Sequence, residues 1–354
     1  MAEEPRQQAI RTMSDLARLA GVSESTVSRA LAGSELVAAR TRERIMELAR
    51  VTHFVANEQA RSLALGKVRV IEVIFTIEHG TLQRVSDPFF IEMLAMLIDE
   101  FSGHGFDVLV SHATPWDEEH PECAYVSGRA AGLVIIGQAR QRTAIAEFAR
   151  HHPNVVIWGA LEDEQDDRQT LVGSNNRCGG ERVTRHLLDC GRRAIAFLGD
   201  TRLPEIRQRF EGYSEALSAA GITPNPELVL PAPFDIERAR QAASALPDLY
   251  PAFDAVFAAS DMIALAVIKT LQDQGLRVPE DVAVVGFDDI PAAAHMYPGL
   301  TTVRQNVPEA ARVLAASLLA RMDGRSAPST AIDVELVVRE TCGSGLRQRN
   351  RRAS

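Results

Sequence analysis

TMSDLARLAGVSESTVSRALAG, residues 12–33, carries two short apolar stripes separated by a glycine, and its reading decides the rest of the chain. Met13, Leu16, Ala17 and Ala20 recur at helical spacing, and Thr12 precedes them where an N-cap hydroxyl meets the first free amides. Gly21 ends this helix, because glycine takes the left-handed conformation that turns a chain after a helix. Val22 plugs the corner. Ser23 opens a second helix as its N-cap, and Val27, Ala30 and Leu31 form the inner face. The outer face is short and polar, with Glu24, Ser25, Ser28 and Arg29. A merely packed helical hairpin fits this apolar pattern as well as a helix-turn-helix whose second helix reaches base edges in a DNA major groove.

The more specific signal is AGVSESTVSRAL, residues 20–31. With the continuation from Ser34 to Phe54 and the run ARSL at 60–63, it resembles the DNA-binding headpiece of the lactose-repressor (LacI/GalR) family. The resemblance implies that Glu24, Ser25 and Arg29 read bases. Arg29 suits a bidentate contact to guanine, Glu24 accepts from a cytosine amino group, and Ser25 is permissive. Thr26 and Ser28 match positions that touch phosphates, and the cap hydroxyls of Thr12 and Ser23 complete the expected DNA-binding set. A third helix, with Ile45, Leu48 and Ala49 inward and Val37 packed beside it, closes the small core. The resemblance also implies a hinge helix, capped by Asn57, that wedges Leu63 of each subunit into the operator's central base step from the minor groove. Val55 and Ala56 stand where many members carry a proline before that helix.

A chain of 354 residues suggests two or three domains. The net charge of -9 sits oddly with DNA binding, but residues 1–66 hold nine Arg against eight Asp or Glu, so the acidic excess lies beyond them. A headpiece so mildly basic calls for a dimer to hold DNA at cellular salt. The four cysteines show no CxxC and the nine histidines no HExxH, and His120 with Cys123 lacks further ligands in range, so no metal or cofactor is expected and the thiols read as small buried groups. The start MAEEPRQQAI lacks the basic and apolar runs of a secretory signal, and no apolar stretch approaches 18 residues, which predicts a cytoplasmic protein with no membrane partner. No GxGxxG, GxxxxGK[ST] or GxSxG occurs, which speaks against an enzyme.

After Gly66 and Lys67, β-branched runs alternate with helical patterns. Strands are expected at 68–75, 106–111, 131–137, 154–159, 171–174, 194–199, 227–231, 254–259, 282–287 and 301–305. A last strand at 333–340 follows a loop at 324–332, and helices are expected at 91–102, 177–190, 205–220 and 262–274. Such alternation implies parallel sheets covered on both faces. These strands are more than one sheet needs, so two lobes are expected, with a ligand crevice at the carboxyl ends of the strands. DPFF at 87–90, SNNRCGG at 174–180, CGRRAIAFLG at 190–199, RFEGY at 209–213, the run from Phe257 to GFDD at 286–289, and LTTVRQ at 300–305 resemble the family's effector-binding body, itself similar to periplasmic sugar-binding proteins. The expected fold is therefore α/β: an all-α helix-turn-helix headpiece plus a two-lobed periplasmic-binding-protein-like (type I) doubly wound parallel-sheet domain. The expected divisions are headpiece 1–56, hinge helix and linker 57–67, body 68–341 and basic tail 342–354. Within the body, lobe one covers about 68–170 and 301–330, and lobe two about 171–300 and 331–341.

The resemblance implies an effector site as well. Arg209 and Asp288 hold vicinal sugar hydroxyls by bidentate hydrogen bonds, Phe234 stacks, and Phe89 and Phe90 stand at the other lobe's edge. Trp158 occupies a position where several relatives carry aspartate, which trades a hydroxyl acceptor for a flat surface and points to a disaccharide or aryl glycoside. Asp261, after Ser260, is either an effector contact or only a helix cap, and Asp87 before Pro88 is open in the same way. Ser174 departs from an aspartate common in the family, and residues 78–86 are long enough for a flap. The implied function is a sequence-specific repressor of carbohydrate-utilisation genes, released from a pseudo-palindromic operator by a sugar bound between the lobes. It would act as a homodimer, since the chain shows no C-terminal leucine heptads for a tetrameric zipper. A purine- or nucleotide-type corepressor stays open as the alternative, with an enzyme on a Rossmann-like scaffold the remoter one.

Overall fold

Thr12 caps the first helix, α1 (Met13–Ala20), in a reciprocal box: its hydroxyl accepts from the Asp15 amide at 3.1 Å, and the Asp15 carboxylate accepts from the Thr12 amide at 3.1 Å. Gly21 follows at φ 67°, and Ser23 Oγ accepts from the Thr26 amide at 3.3 Å to open α2 (Glu24–Leu31). α3 (Ala39–Val51) closes a core in which Leu16, Val27, Ala30 and Ile45 are almost wholly excluded from solvent, with Val22, Val37, Leu48 and Ala49 packed around them. Helices this short are marginal alone, so the shared apolar centre holds them.

The computed structural model describes residues 12–31, 34, 36–52, 68–77, 84–113, 123–138, 141–161 and 168–345, in one unit up to Val68 and another from Arg69. The expected hinge with Asn57 and Leu63, most of the expected flap, His120 and the tail beyond 345 lie outside the described residues.

The second unit is built from parallel sheets. β1 (Val70–Thr76), α4 (Pro88–Gly103), β2 (Asp107–Ala113), β3 (Gly132–Ile136), α5 (Arg142–His151), β4 (Val155–Trp158) and β5 (Leu171–Ser174) form the first lobe's forward run. The chain crosses to the second lobe for α6 (Asn176–Asp189), β6 (Ile195–Leu198), α7 (Pro204–Ala219), β7 (Val229–Leu230), α8 (Ile236–Ala243) and α9 (Leu246–Leu249). β8 (Ala255–Ala258), α10 (Asp261–Asp273), β9 (Ala283–Val285), α11 (Pro291–His295) and β10 (Thr302–Gln305) complete that passage. It returns for α12 (Val307–Met322) and β11 (Thr330–Ile332), then crosses again for β12 (Val334–Val337). The first sheet has the order β11-β5-β4-β3-β1-β2 and the second β7-β6-β8-β9, with β10 and β12 an antiparallel pair beside the second.

The apolar runs behave as parallel strands should. β3 and β4 are buried at every position, and α4 and α12 lay Met93, Leu97, Phe101, Ala311, Leu314 and Leu318 over the first sheet. In the second lobe Phe197, Phe257 and Tyr213 form the aromatic centre, with Phe197 and Phe257 edge to face at 5.3 Å between centroids.

Three expected boundaries are corrected. Leu171–Ser174 belongs to lobe one, because Leu171 and Val172 pair with Ile157 and Trp158. Thr302–Gln305 belongs to lobe two, where it pairs with β12 and bridges Thr301 to Val285 and Arg304 to Asp288. Thr330–Ile332 is a lobe-one edge strand rather than loop, since it pairs with Val172–Ser174. Its brevity, beside Gly, Ser and Pro, hid it. The chain therefore changes lobe after Ser174, after Gln305 and after Ile332.

Candidate functional site

Two glycines bring the polar wall of the cleft together. Gly180 of α6 would press a Cβ onto the Arg209 backbone, and Gly212 of α7 would press one onto the Arg177 carbonyl, so only glycine lets these helices touch along their backbones. That approach sets the buried Arg209 beside the start of α6. Its Nε donates to Asn176 Oδ1 at 2.9 Å and its Nη1 to the Ala259 carbonyl at 2.5 Å, while the guanidinium lies over the Phe287 ring at 3.7 Å. Asp288 Oδ1 stands 3.9 Å from Nη1.

The GFDD turn assigns different work to its carboxylates. Asp288 and Asp289 hold φ of 122° and 61°, left-handed values that cost non-glycine residues and persist only where the surroundings enforce them. Asp289 enforces from one side, accepting from Arg304 Nε at 2.8 Å and Arg339 Nη2 at 2.7 Å. Asp261 enforces from beneath: it accepts from the Ile290 amide at 2.9 Å and from Thr302 Oγ1 at 2.5 Å, and it fills the space where Gly286 has no side chain. Asp288 alone faces the cleft, where it accepts from Gln305 Nε2 at 2.7 Å, and Gln305 in turn accepts from Ser174 Oγ at 2.6 Å.

The open space in and before the cleft between the lobes amounts to about 950 Å³, solvent at the mouth included. Lobe one lines it with Phe89, Phe90 and Trp158, the rings of Phe89 and Trp158 lying 6.0 Å apart and tilted by 36°. Lobe two adds Phe234, Arg209, Asp288, Asp200 and Glu205. Of the residues expected at the effector site, only Asp261 is absent from this lining. It is fully buried beneath the turn, and Ser260, not Asp261, caps α10 by accepting from the Ile263 amide at 3.3 Å. Asp87 caps α4, accepting from the Phe89 amide at 3.0 Å, and also reaches the cleft.

Glu205, Asp200, Asn176 and Gln305 are additions to the expected set. Glu205 Oε2 is a buried oxygen without a hydrogen-bond partner. Following Pro204 at a helix start, it reads in sequence as an ordinary first-turn acid. Burial raises the Glu205 carboxyl against the opposing pull of Arg209, and raises Asp87 against the amides it caps. Burial likewise pushes Asp288 up to about 7, although Arg209 opposes it, and lowers Arg209 from its usual range. The lining therefore pairs one guanidinium with carboxyls that accept, or when protonated donate, single hydrogen bonds, beside flat aromatic faces.

On the headpiece, Glu24, Ser25 and Arg29 are exposed on α2, while Thr26 and Ser28 are half-buried. The Ser23 hydroxyl lies 2.9 Å from that of Ser25 and 2.8 Å from that of Thr26, and the Thr12 hydroxyl is engaged by Asp15 at 2.7 Å.

Residues 12–57 match the model of bacterial regulatory proteins of the lacI family, and residues 184–342 that of a periplasmic binding protein-like domain. The HTH-type transcriptional regulator CelR of Thermobifida fusca is 29% identical over 334 residues, 93% of this chain and 98% of that protein. The ribose operon repressor of Haemophilus influenzae is 30% identical over 316 residues, 88% of this chain and 92% of that protein. A solved complex of the regulator CelR with cellobiose superposes with a TM-score of 0.69 at 29% identity, covering 93% of this chain and 99% of that one.

Proposed function

The chain belongs to the LacI family of DNA-binding transcriptional regulators, and from that premise we propose that it is a repressor whose operator affinity is set by a neutral sugar, disaccharide-sized, held between its lobes. The observation that carries this reading is the cleft's division into an aromatic wall and a wall of fixed single-bond donors and acceptors, which suits a pyranose with its apolar C–H face and its rim of hydroxyls. Two relatives are named for or bound to sugars, which supports the same class. Arg209, the arginine of the described lining, is matched by Asp288 and Glu205, and Asp200 is paired with Arg202, so the lining offers a phosphate no spare cation, which disfavours nucleotides and sugar phosphates. The purine alternative narrows to uncharged bases and nucleosides.

Headpiece 1–56 would read a pseudo-palindromic operator through Glu24, Ser25 and Arg29 in a cytoplasmic homodimer, with the 57–67 hinge and Leu63 as the wedge. The sugar acts by favouring one lobe arrangement.

Thermal melting of the full chain with cellobiose, ribose, glucose, hypoxanthine and adenosine tests the effector. A ligand at a hundredfold over its Kd adds about 2.7 kcal/mol of stability. A shift with a sugar, lost in Asp288→Ala, supports the reading; a shift with purine or nucleoside alone overturns it. For DNA, Arg29→Ala is expected to lose about 1 to 3 kcal/mol on operator and to relax one base position. Uniform weakening over all sequences would rule out base reading there. Leu63→Ala is expected to weaken operator binding while the headpiece stays folded, and unchanged affinity removes the wedge.

A further inference from the structure

At the far end of α6 from the cleft, a second cluster of chemically able side chains comes together. His186 and Cys190 stand four residues apart and so share one helix face, and Cys342 arrives beside them from the segment after β12. A ring nitrogen of His186, Cys190 Sγ and Cys342 Sγ all lie within 4.8 Å of one another, and His186 Nε2 is 3.7 Å from Cys190 Sγ. Two ligands on a tetrahedral zinc, with Zn–S about 2.3 Å and Zn–N about 2.0 Å, stand about 3.6 Å apart. The His186–Cys190 pair already has that spacing, and the Cys342 sulfur lies near enough to close on the same ion. Cys342 is fully buried, whereas His186 and Cys190 are half-buried, which gives an ion a way in and leaves one coordination position toward solvent.

We propose that His186, Cys190 and Cys342 form a binding site for a zinc-class divalent ion, completed by one water. Two sulfurs and one imidazole select a borderline-soft metal over magnesium or calcium, which take oxygen ligands. The ion ties the C-terminal turn of α6 to the chain's last described segment. Its site lies about 15 Å along the helix from Asn176, which holds Arg209, so it is separate from the effector cleft. The sequence hides this set, because a His–Cys pair four apart on a helix is common and its third member lies at the other end of the chain.

The test uses the full chain, reduced and stripped of metal with a chelator, titrated with Co2+ and followed by absorption. One ion per chain, with thiolate-to-cobalt charge transfer in the near ultraviolet, the visible bands of tetrahedral cobalt and displacement by Zn2+, is the expected result. Cys190→Ser should lower Co2+ affinity at least a hundredfold and His186→Asn about tenfold or more, while Cys178→Ser, on the first turn of the same helix, leaves it unchanged. Because Cys342 is buried, the Cys190 and His186 variants carry the test if Cys342→Ser fails to fold. The absence of charge transfer, or a spectrum that survives Cys190→Ser, overturns the assignment.

Discussion

Lobe one meets the cleft chiefly with Phe89, Phe90 and Trp158, beside the capping Asp87, whereas lobe two meets it with Arg209, Asp288, Glu205 and Asp200 as well as Phe234. The helices responsible start alike, each with a proline in its first turn, but α4 continues with two phenylalanines and α7 with Glu205 and Arg209. The difference separates two kinds of recognition. An aromatic face accepts many ring-shaped ligands in many orientations, whereas a buried guanidinium with fixed partners accepts few. A ligand that satisfies only one wall gives the lobes no reason to approach, because a ligand shifts an equilibrium only by its differential affinity for the two arrangements.

The largest effect expected from breaking this division is structural. Arg209→Met removes the cation that Asn176, the Ala259 carbonyl and Asp288 surround, and should cost about 3 to 5 kcal/mol in urea unfolding of the full chain. A loss below about 1 kcal/mol would mean that the polar wall does not depend on it. Asp288→Ala comes next, with effector affinity falling by about 1.5 to 3 kcal/mol, roughly ten- to 150-fold, by calorimetry. Trp158→Ala should cost less, about 0.5 to 1.5 kcal/mol, and mainly for ligands with an extended apolar face. If Trp158→Ala proved costlier than Asp288→Ala, the division between walls would be reversed.

The smallest change is a slope in pH. Burial raises Asp288 to about 7 and also raises Asp261, Glu205 and Asp87. A carboxyl with a raised folded pKa keeps its proton longer folded than unfolded, so stability is greatest below the unfolded value and declines as pH rises toward the folded one. Urea midpoints of the body should therefore fall between about pH 5 and pH 7, by less than 1.4 kcal/mol per unit for each group. Asp288→Asn should flatten that slope, and midpoints that rise with pH would contradict the assignment.

What the sequence disclosed followed the range of the forces involved. Thr12, Gly21 and Ser23 were legible because caps and turns depend on neighbours a few residues away. The β-branched runs were legible as strands, yet lobe membership of Leu171–Ser174 and Thr302–Gln305 was not, since it depends on which distant strand each pairs with. Arg209 and Asp288 stand out in sequence only through resemblance to a family, and Asp261 is ambiguous there because its position suits either a cap or a ligand contact. Glu205 gave no signal at all: only the folded cleft shows an unpartnered oxygen there.

Gln305 closes the last strand before one lobe crossing and Ser174 the strand before another, and their side chains meet. Because the Ser174 hydroxyl occupies the amide oxygen, the amide nitrogen is left to face Asp288. A bend that parts residues 174 and 305 would free the amide to rotate and take a donor from a carboxyl already balanced near neutrality. Lobe angle and the proton on Asp288 would then be linked through Gln305, and proton uptake or release on lobe movement would report that link.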